Sequence, residues 1–223
     1  MSRVTERRPA VPLAPTRPAA TPPGGGYLEG TLGRFLDQVA SGEPAPGGGA
    51  AAAVTVALAA GLVAMAGRFS AGRMDARDDA EPGEVVDLVA RAEELRARVA
   101  PLAQADADAY GRVLAAMRLP REPDPAARRL AVRSALSAAA DVPLAVAEVA
   151  AETADLAAVL AEAGNPNLRG DAVTAGLLAE AGAWSAACLV EINVGAGDER
   201  AVRAGNLAHA AAGAARRAMD ARR

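Results

Sequence analysis

The chain has 223 residues, of which 62 are alanine and only five aromatic, and all 24 of its basic residues are arginine. Aromatic and β-branched strand formers are scarce while alanine has the highest helix propensity, which argues against a β-sandwich or barrel and for an all-α fold. A net charge of −3 gives no general attraction to nucleic acid, and one cysteine with one histidine offers neither an internal disulfide nor a Cys/His zinc site, so no metal is expected.

Residues 1–26 are rich in proline and arginine, contain no apolar run and end in Gly24, Gly25 and Gly26. They read as a disordered leader or a docking tail rather than a secretory signal. Residues 27–223 read as a single helical domain. Thr31 is a cap for a short helix with Leu32, Phe35, Leu36 and Val39 on one face. A Gly/Pro-rich loop, 42–49, then opens an uncharged segment, 50–67. A long pattern from Glu84 buries Val85, Leu88, Ala92, Leu95, Val99 and Leu102, then Ala109, Val113 and Ala116, with a kink or restart at Pro101. Asp124-Pro125 starts a helix to about Ala140 and Asp141 starts one to about Ala163. After the Gly164-Asn165-Pro166-Asn167 turn, Asp171 is a cap for a helix to about Val194, charged only at Glu180 and Glu191. Asp198 opens the last helix.

The segments 50–67 and 172–194 are long and nearly uncharged. Alanine and glycine drive membrane insertion weakly, whereas small side chains suit close helix packing or a subunit interface. The pattern predicts an all-α, orthogonal or up-down multi-helix bundle around these two helices. A monomer core of such small side chains is thin, so a homodimer is expected, with no membrane and no nucleic acid as partner. Cys188 is expected to be a small buried residue and His209 to be incidental.

Four features could carry chemistry. Pro46-Gly47-Gly48-Gly49 opens a helix, either as a close-approach site for an anionic group or as a turn that fits crowded packing. Asp106 falls on the apolar seam and Asp108 off it. Asp106 is therefore either an inward carboxyl with a raised pKa, suited to acid/base work, or a solvated one if Pro101 shifts the register. Asn165, Asn167 and Asp171 either present amide and carboxyl edges to a heterocycle or make a capped turn. Glu191 and Asn193 close an apolar helix, facing a cavity or marking its end.

Taken in order, these segments resemble the formiminotetrahydrofolate cyclodeaminase / methenyltetrahydrofolate cyclohydrolase family. The resemblance rests on Phe35-Leu36-Asp37 with 41–49, on 106–110 with Met117-Arg118-Leu119-Pro120, on Val142-Pro143-Leu144, on 164–167 with Asp171-Ala172, and on Ile192-Asn193. It implies an all-helical dimer binding folate near the subunit interface, in the cytoplasm, with no cofactor beyond the tetrahydrofolate substrate. Two reactions are implied: hydrolysis of 5,10-methenyltetrahydrofolate to 10-formyltetrahydrofolate, or loss of ammonia from 5-formiminotetrahydrofolate with ring closure. The chain as given leaves no room for a formiminotransferase domain, which tilts the expectation towards hydrolysis. By the same resemblance Asp106 is the leading acid/base, with Asp171 as second catalytic carboxylate. Asn165, Asn167 and Asp171 help place the pterin ring, Asn193 is a further substrate-binding residue, and Tyr110 is the aromatic side chain placed to stack on the ring. Gly47, Gly48 and Gly49 let the ligand approach a helix N-terminus, and Arg118 and Arg121 meet the glutamyl tail. The sequence departs from the family at Ala50 and Gly170, where serines are usual, at Val173 for a glycine and at Glu191 for a basic residue. A folate-binding or scaffolding dimer without catalysis is the alternative those departures suggest.

Overall fold

The computed structural model describes residues 26–75 and 83–221. Apart from Gly26, the tail expected over 1–26 lies outside the described residues. Among the described residues every regular element is helical: α1 (Leu32–Val39), α2 (Gly48–Arg68), the short α3 (Ala71–Met74), α4 (Glu84–Val99), α5 (Leu102–Met117), α6 (Pro125–Ala139), α7 (Asp141–Ala163), α8 (Arg169–Val194) and α9 (Glu199–Asp220), with 3-10 turns at Tyr27–Glu29 and Pro166–Leu168.

Local capping sets several of these starts. The Thr31 hydroxyl accepts from the Arg34 N–H, Asp124 accepts from the N–H groups of Ala126 and Ala127 ahead of Pro125, and Asp198 accepts from the Arg200 N–H. Asp171 differs from expectation. The 3-10 turn at 166–168 feeds straight into α8 at Arg169, so Asp171 lies inside the first turn, where its charge suits the helix dipole, and is not a cap.

The helices α7, α8 and α9 pack on one another, and α2 lies against α7 and α8. The stretch α4–α5 runs antiparallel along α2: Gly67 meets Leu88 and Val89, Gly61 sits beside Arg96, and Gly49 meets Asp106. Ala100 and Pro101 keep helical backbone angles, so Pro101 restarts the helix without turning the chain away. The buried face therefore carries through from Val99 to Ala103, Ala109 and Val113. The core is mostly alanine and valine, with Met74 and Leu95 its largest fully buried side chains. That thinness leaves large apolar side chains outside, among them Leu58, Leu177, Trp184 and Ile192. It also leaves the face expected on α1 without a partner: only Phe35 is buried, edge-on to Tyr27, while Leu32, Leu36 and Val39 are exposed.

By length and composition Gly48–Arg68 and Pro166–Val194 could cross a membrane, with mean hydropathy of 2.0 and 1.5. In the bundle 56% of the most apolar window of the first is buried against other helices, as a core helix requires.

Candidate functional site

The N-terminus of α2 and the first half of α5 meet at one point. On α5, Ala103 and Ala109 are buried, and Asp106 lies three residues from each, on the same face. Its carboxylate accepts the Ala50 N–H at 3.1 Å from Oδ2. Gly49 is what permits this approach, because a Cβ there would stand 2.0 Å from Asp106 Oδ1. Burial pushes the Asp106 carboxyl above the usual aspartate range, and the Ala50 hydrogen bond, which favours the charged form, offsets part of that. Asp108 points the other way, exposed and bonded to the Gln104 amide at 2.9 Å. Of the two register readings, the inward one holds.

Asp106 opens into a cavity of about 220 Å³. Pro44, Ala45, Gly47, Gly48 and Gly49 form one side, and Asp106, Ala109, Tyr110 and Val113 of α5 another. Ala139 at the end of α6 and Leu189, Ile192 and Asn193 near the end of α8 complete it. The walls are apolar apart from the carboxylate, the Tyr110 phenol and the Asn193 amide. The backbone of Gly48 and Gly49, in the first turn of α2, lies at its edge. Such a cavity can hold a ring system against its apolar walls and offer it a carboxyl and an amide. Among the described residues no group of three or more His, Cys, Asp or Glu could hold a metal ion. Sequence does not single out Leu189 and Ala139, and it marks Val113 only as part of the apolar seam and Ile192 only as a motif residue, since apolar wall residues carry no signal that separates them from core.

The structure thus brings together Gly47, Gly48, Gly49, Asp106, Tyr110 and Asn193. Arg118 and Arg121 are exposed at and beyond the end of α5, and Arg118 stands about 12 Å along the helix from Tyr110. Neither lines the cavity. Asn165, Asn167 and Asp171 sit at the other end of α2. The Asn165 amide donates to the Phe69 carbonyl at 3.1 Å, its N–H to the Ser70 hydroxyl at 2.9 Å, and its side-chain oxygen accepts from the Asn167 N–H. Nineteen residues of helix, about 28 Å, separate Phe69 from Ala50. Within one chain this group is a lock between α2 and the α7–α8 connection.

Within one chain the departures noted from sequence fall lightly on the cavity. Ala50 holds Asp106 through its backbone, which no side chain alters. Gly170 and Val173 belong to the distant end of α8, and Glu191 is exposed on the face away from the cavity lining. A second, more open groove of about 380 Å³ shares Gly48 and Leu189 with the first and follows α2 and α8 past Thr55, Ser185 and Cys188. Cys188 is therefore exposed, contrary to expectation, because an all-apolar helix gives no periodicity from which to choose its outer face. His209 is exposed on α9, its ring edge-on to Trp184 and its Nδ1 2.8 Å from the Gly205 carbonyl.

A family model described as formiminotransferase-cyclodeaminase matches residues 31–212. A methenyltetrahydrofolate cyclohydrolase of Methylorubrum extorquens is 39% identical over 173 residues, which are 77% of this chain and 82% of that protein. A formimidoyltransferase-cyclodeaminase of Rattus norvegicus is 32% identical over 75% of this chain, which spans only 31% of that longer protein. The crystal structure of formiminotetrahydrofolate cyclodeaminase from Thermotoga maritima superposes with a TM-score of 0.72, at 28% identity, over 85% of this chain and 94% of that one.

Proposed function

The chain belongs to the formiminotransferase-cyclodeaminase family, and we propose from that premise that it is a cytoplasmic folate enzyme whose main reaction is hydrolysis of 5,10-methenyltetrahydrofolate to 10-formyltetrahydrofolate. The ring-closing deamination of 5-formiminotetrahydrofolate is the second reading of the same site. Hydrolysis is favoured by the relative at 39% identity, whose length the chain nearly spans.

The observation that carries the reading is the half-buried Asp106 carboxyl at the mouth of an apolar cavity. The methenyl group carries a positive charge shared between N5 and N10, and a carboxylate beside it stabilises that charge. As base, Asp106 takes a proton from the water whose oxygen bonds to the methenyl carbon. As acid, it returns that proton to N5 when the carbon–N5 bond breaks, while the new hydroxyl releases its proton to solvent and becomes the formyl oxygen. Burial, which raises the Asp106 pKa, makes the carboxylate a stronger base and its acid form more available for the return step. In the deamination, the protonated carboxyl supplies the proton with which ammonia leaves after N10 attacks the formimino carbon. Both reactions use proton transfer alone, with no cofactor besides the folate. Tyr110 and Asn193 hold the pterin ring, Gly47, Gly48 and Gly49 admit it to the N-terminus of α2, and Arg118 and Arg121 meet the anionic glutamyl tail outside the cavity.

The working form in this reading is a homodimer. The exposed apolar side chains of α2 and α8 ask for a cover, and a two-fold packing that crosses these helices antiparallel brings the 165–171 end of one copy towards the Asp106 cavity of the other. Asn165, Asn167 and Asp171 then serve across the interface. At micromolar concentration light scattering should give twice the chain mass, and a monomer would remove those three residues from the site.

The functional test follows the near-ultraviolet absorbance of 5,10-methenyltetrahydrofolate at a pH where its spontaneous hydrolysis is slow. Purified protein should accelerate the loss of absorbance. Binding without acceleration would leave a folate-binding dimer, and no binding would remove folate altogether.

A further inference from the structure

The part of the cavity wall that α6 supplies is weakly built. Helix α6 buries only Ala139, and Ala109, Val113 and Ala139 form a small cluster separate from the main core. The start of α6 is tied to the end of α5 by Arg128, which donates to the carbonyls of Leu119 and Met117 at 2.9 and 2.7 Å. At its other end, where Ala139 and Ala140 are buried, one side chain from α9 adds a polar tie. Arg200 donates from Nη1 to the Ser137 carbonyl at 2.7 Å and to Asp141 Oδ1 at 2.8 Å. From Nη2 it donates to the Ser137 hydroxyl at 2.9 Å and to Asp198 Oδ2 at 3.1 Å, and from Nε to Asp198 Oδ1 at 3.1 Å. All five guanidinium donors are used, and the pair with Asp198 is a two-bond fork.

The partners lie on both flanks of the cavity. Ser137 is two residues before Ala139, and Asp141 begins the helix whose Val142 and Pro143 pack behind Asp106. Asp198 follows Ile192 and Asn193 through the turn at Gly195, whose φ of 86° suits glycine. We propose that Arg200 is a positioning residue: it clamps the α6–α7 joint to the α8–α9 turn and so sets the gap between Ala139 and the Ile192–Asn193 edge of the Asp106 cavity. Its effect on turnover rests on the folate reading of that cavity, whereas its effect on α6 does not.

Two measurements on the full chain test it. In Arg200→Met, hydrogen exchange of the α6 amides should accelerate while α7 and the first half of α8 keep their protection. In the same variant KM for 5,10-methenyltetrahydrofolate should rise about tenfold with kcat within about threefold, because the binding wall loosens while Asp106 and Ala50 stay in place. Arg200→Lys, which keeps the charge but loses the fork, should fall between wild type and Arg200→Met. Arg203→Met, on the same helix and paired only at the surface with Glu148, should change neither measurement. If Arg200→Met fails to fold, Asp141→Asn removes one exposed partner and should shift both measurements in the same direction by less. Unchanged α6 exchange overturns the clamp. Faster exchange with an unchanged KM overturns its role in the site. If wild-type protein lacks activity the functional reading fails, and α6 exchange alone then decides the clamp.

Discussion

Asp106→Asn is expected to lower kcat/KM for 5,10-methenyltetrahydrofolate by about 10²-fold or more while leaving the fold intact. Asparagine matches aspartate in size, and its side-chain oxygen can still accept the Ala50 N–H, so the cavity keeps its shape. What it loses is the ability to take and return a proton. The same substitution is expected to raise the melting temperature at neutral pH. Burial is the larger influence on the Asp106 carboxyl and lifts its folded pKa above the unfolded one. Stability associated with the protonated form is fully present below the unfolded pKa and is lost as pH rises through the folded one. Above that window wild type holds an ionised, half-buried carboxylate, whereas the variant is neutral throughout. The melting difference between the two proteins should therefore widen in favour of asparagine as pH leaves the ordinary aspartate range. The acid limb of the wild-type kcat/KM profile should fall in the same window. Wild-type rates in the variant would take Asp106 out of the chemistry, and a lower melting temperature with no pH dependence would contradict the burial account.

The parts of the molecule legible in the sequence are those set by local rules. The caps at Thr31, Asp124 and Asp198 depend on a side chain and a backbone N–H two or three residues away, and all three form. The inward placement of Asp106 follows from a step carried past Pro101, which works because Ala100 and Pro101 retain helical angles. Features that depend on how helices meet could not be read this way. Motif order along the chain does not say which helix ends touch, so Asn165 and Asp106 look like neighbours in a list of motifs yet stand at opposite ends of α2. Cys188 lies on a helix whose apolar residues surround it, so no period marks its outer face. The Arg200 clamp joins partners 59 and 63 residues away and leaves no periodic trace.

Gly49→Ala is expected to damage the same site with the opposite thermal signature. The added methyl would lie 2.0, 2.3 and 2.6 Å from the three carboxyl atoms of Asp106. Either the Asp106 side chain rotates away, which breaks its bond with the Ala50 N–H, or α2 and α5 separate at the point where Ala50 and Ala103 are fully buried. Overpacking of this kind costs about 1–3 kcal/mol, so the melting temperature should fall rather than rise. If Asp106 acts as proposed, activity should fall by about 10²-fold, since displacing such a carboxyl by an ångström is enough for a loss of that size. Gly48→Ala provides the contrast. A Cβ there meets nothing within 4 Å and points into open space at the cavity edge. That variant should melt like wild type and differ in KM alone. Circular-dichroism melts and steady-state rates on the two variants separate the cases. A Gly49→Ala protein with wild-type stability and turnover would show that the close contact between α2 and Asp106 is not needed for the reaction, and the reacting group would have to be sought elsewhere in the cavity.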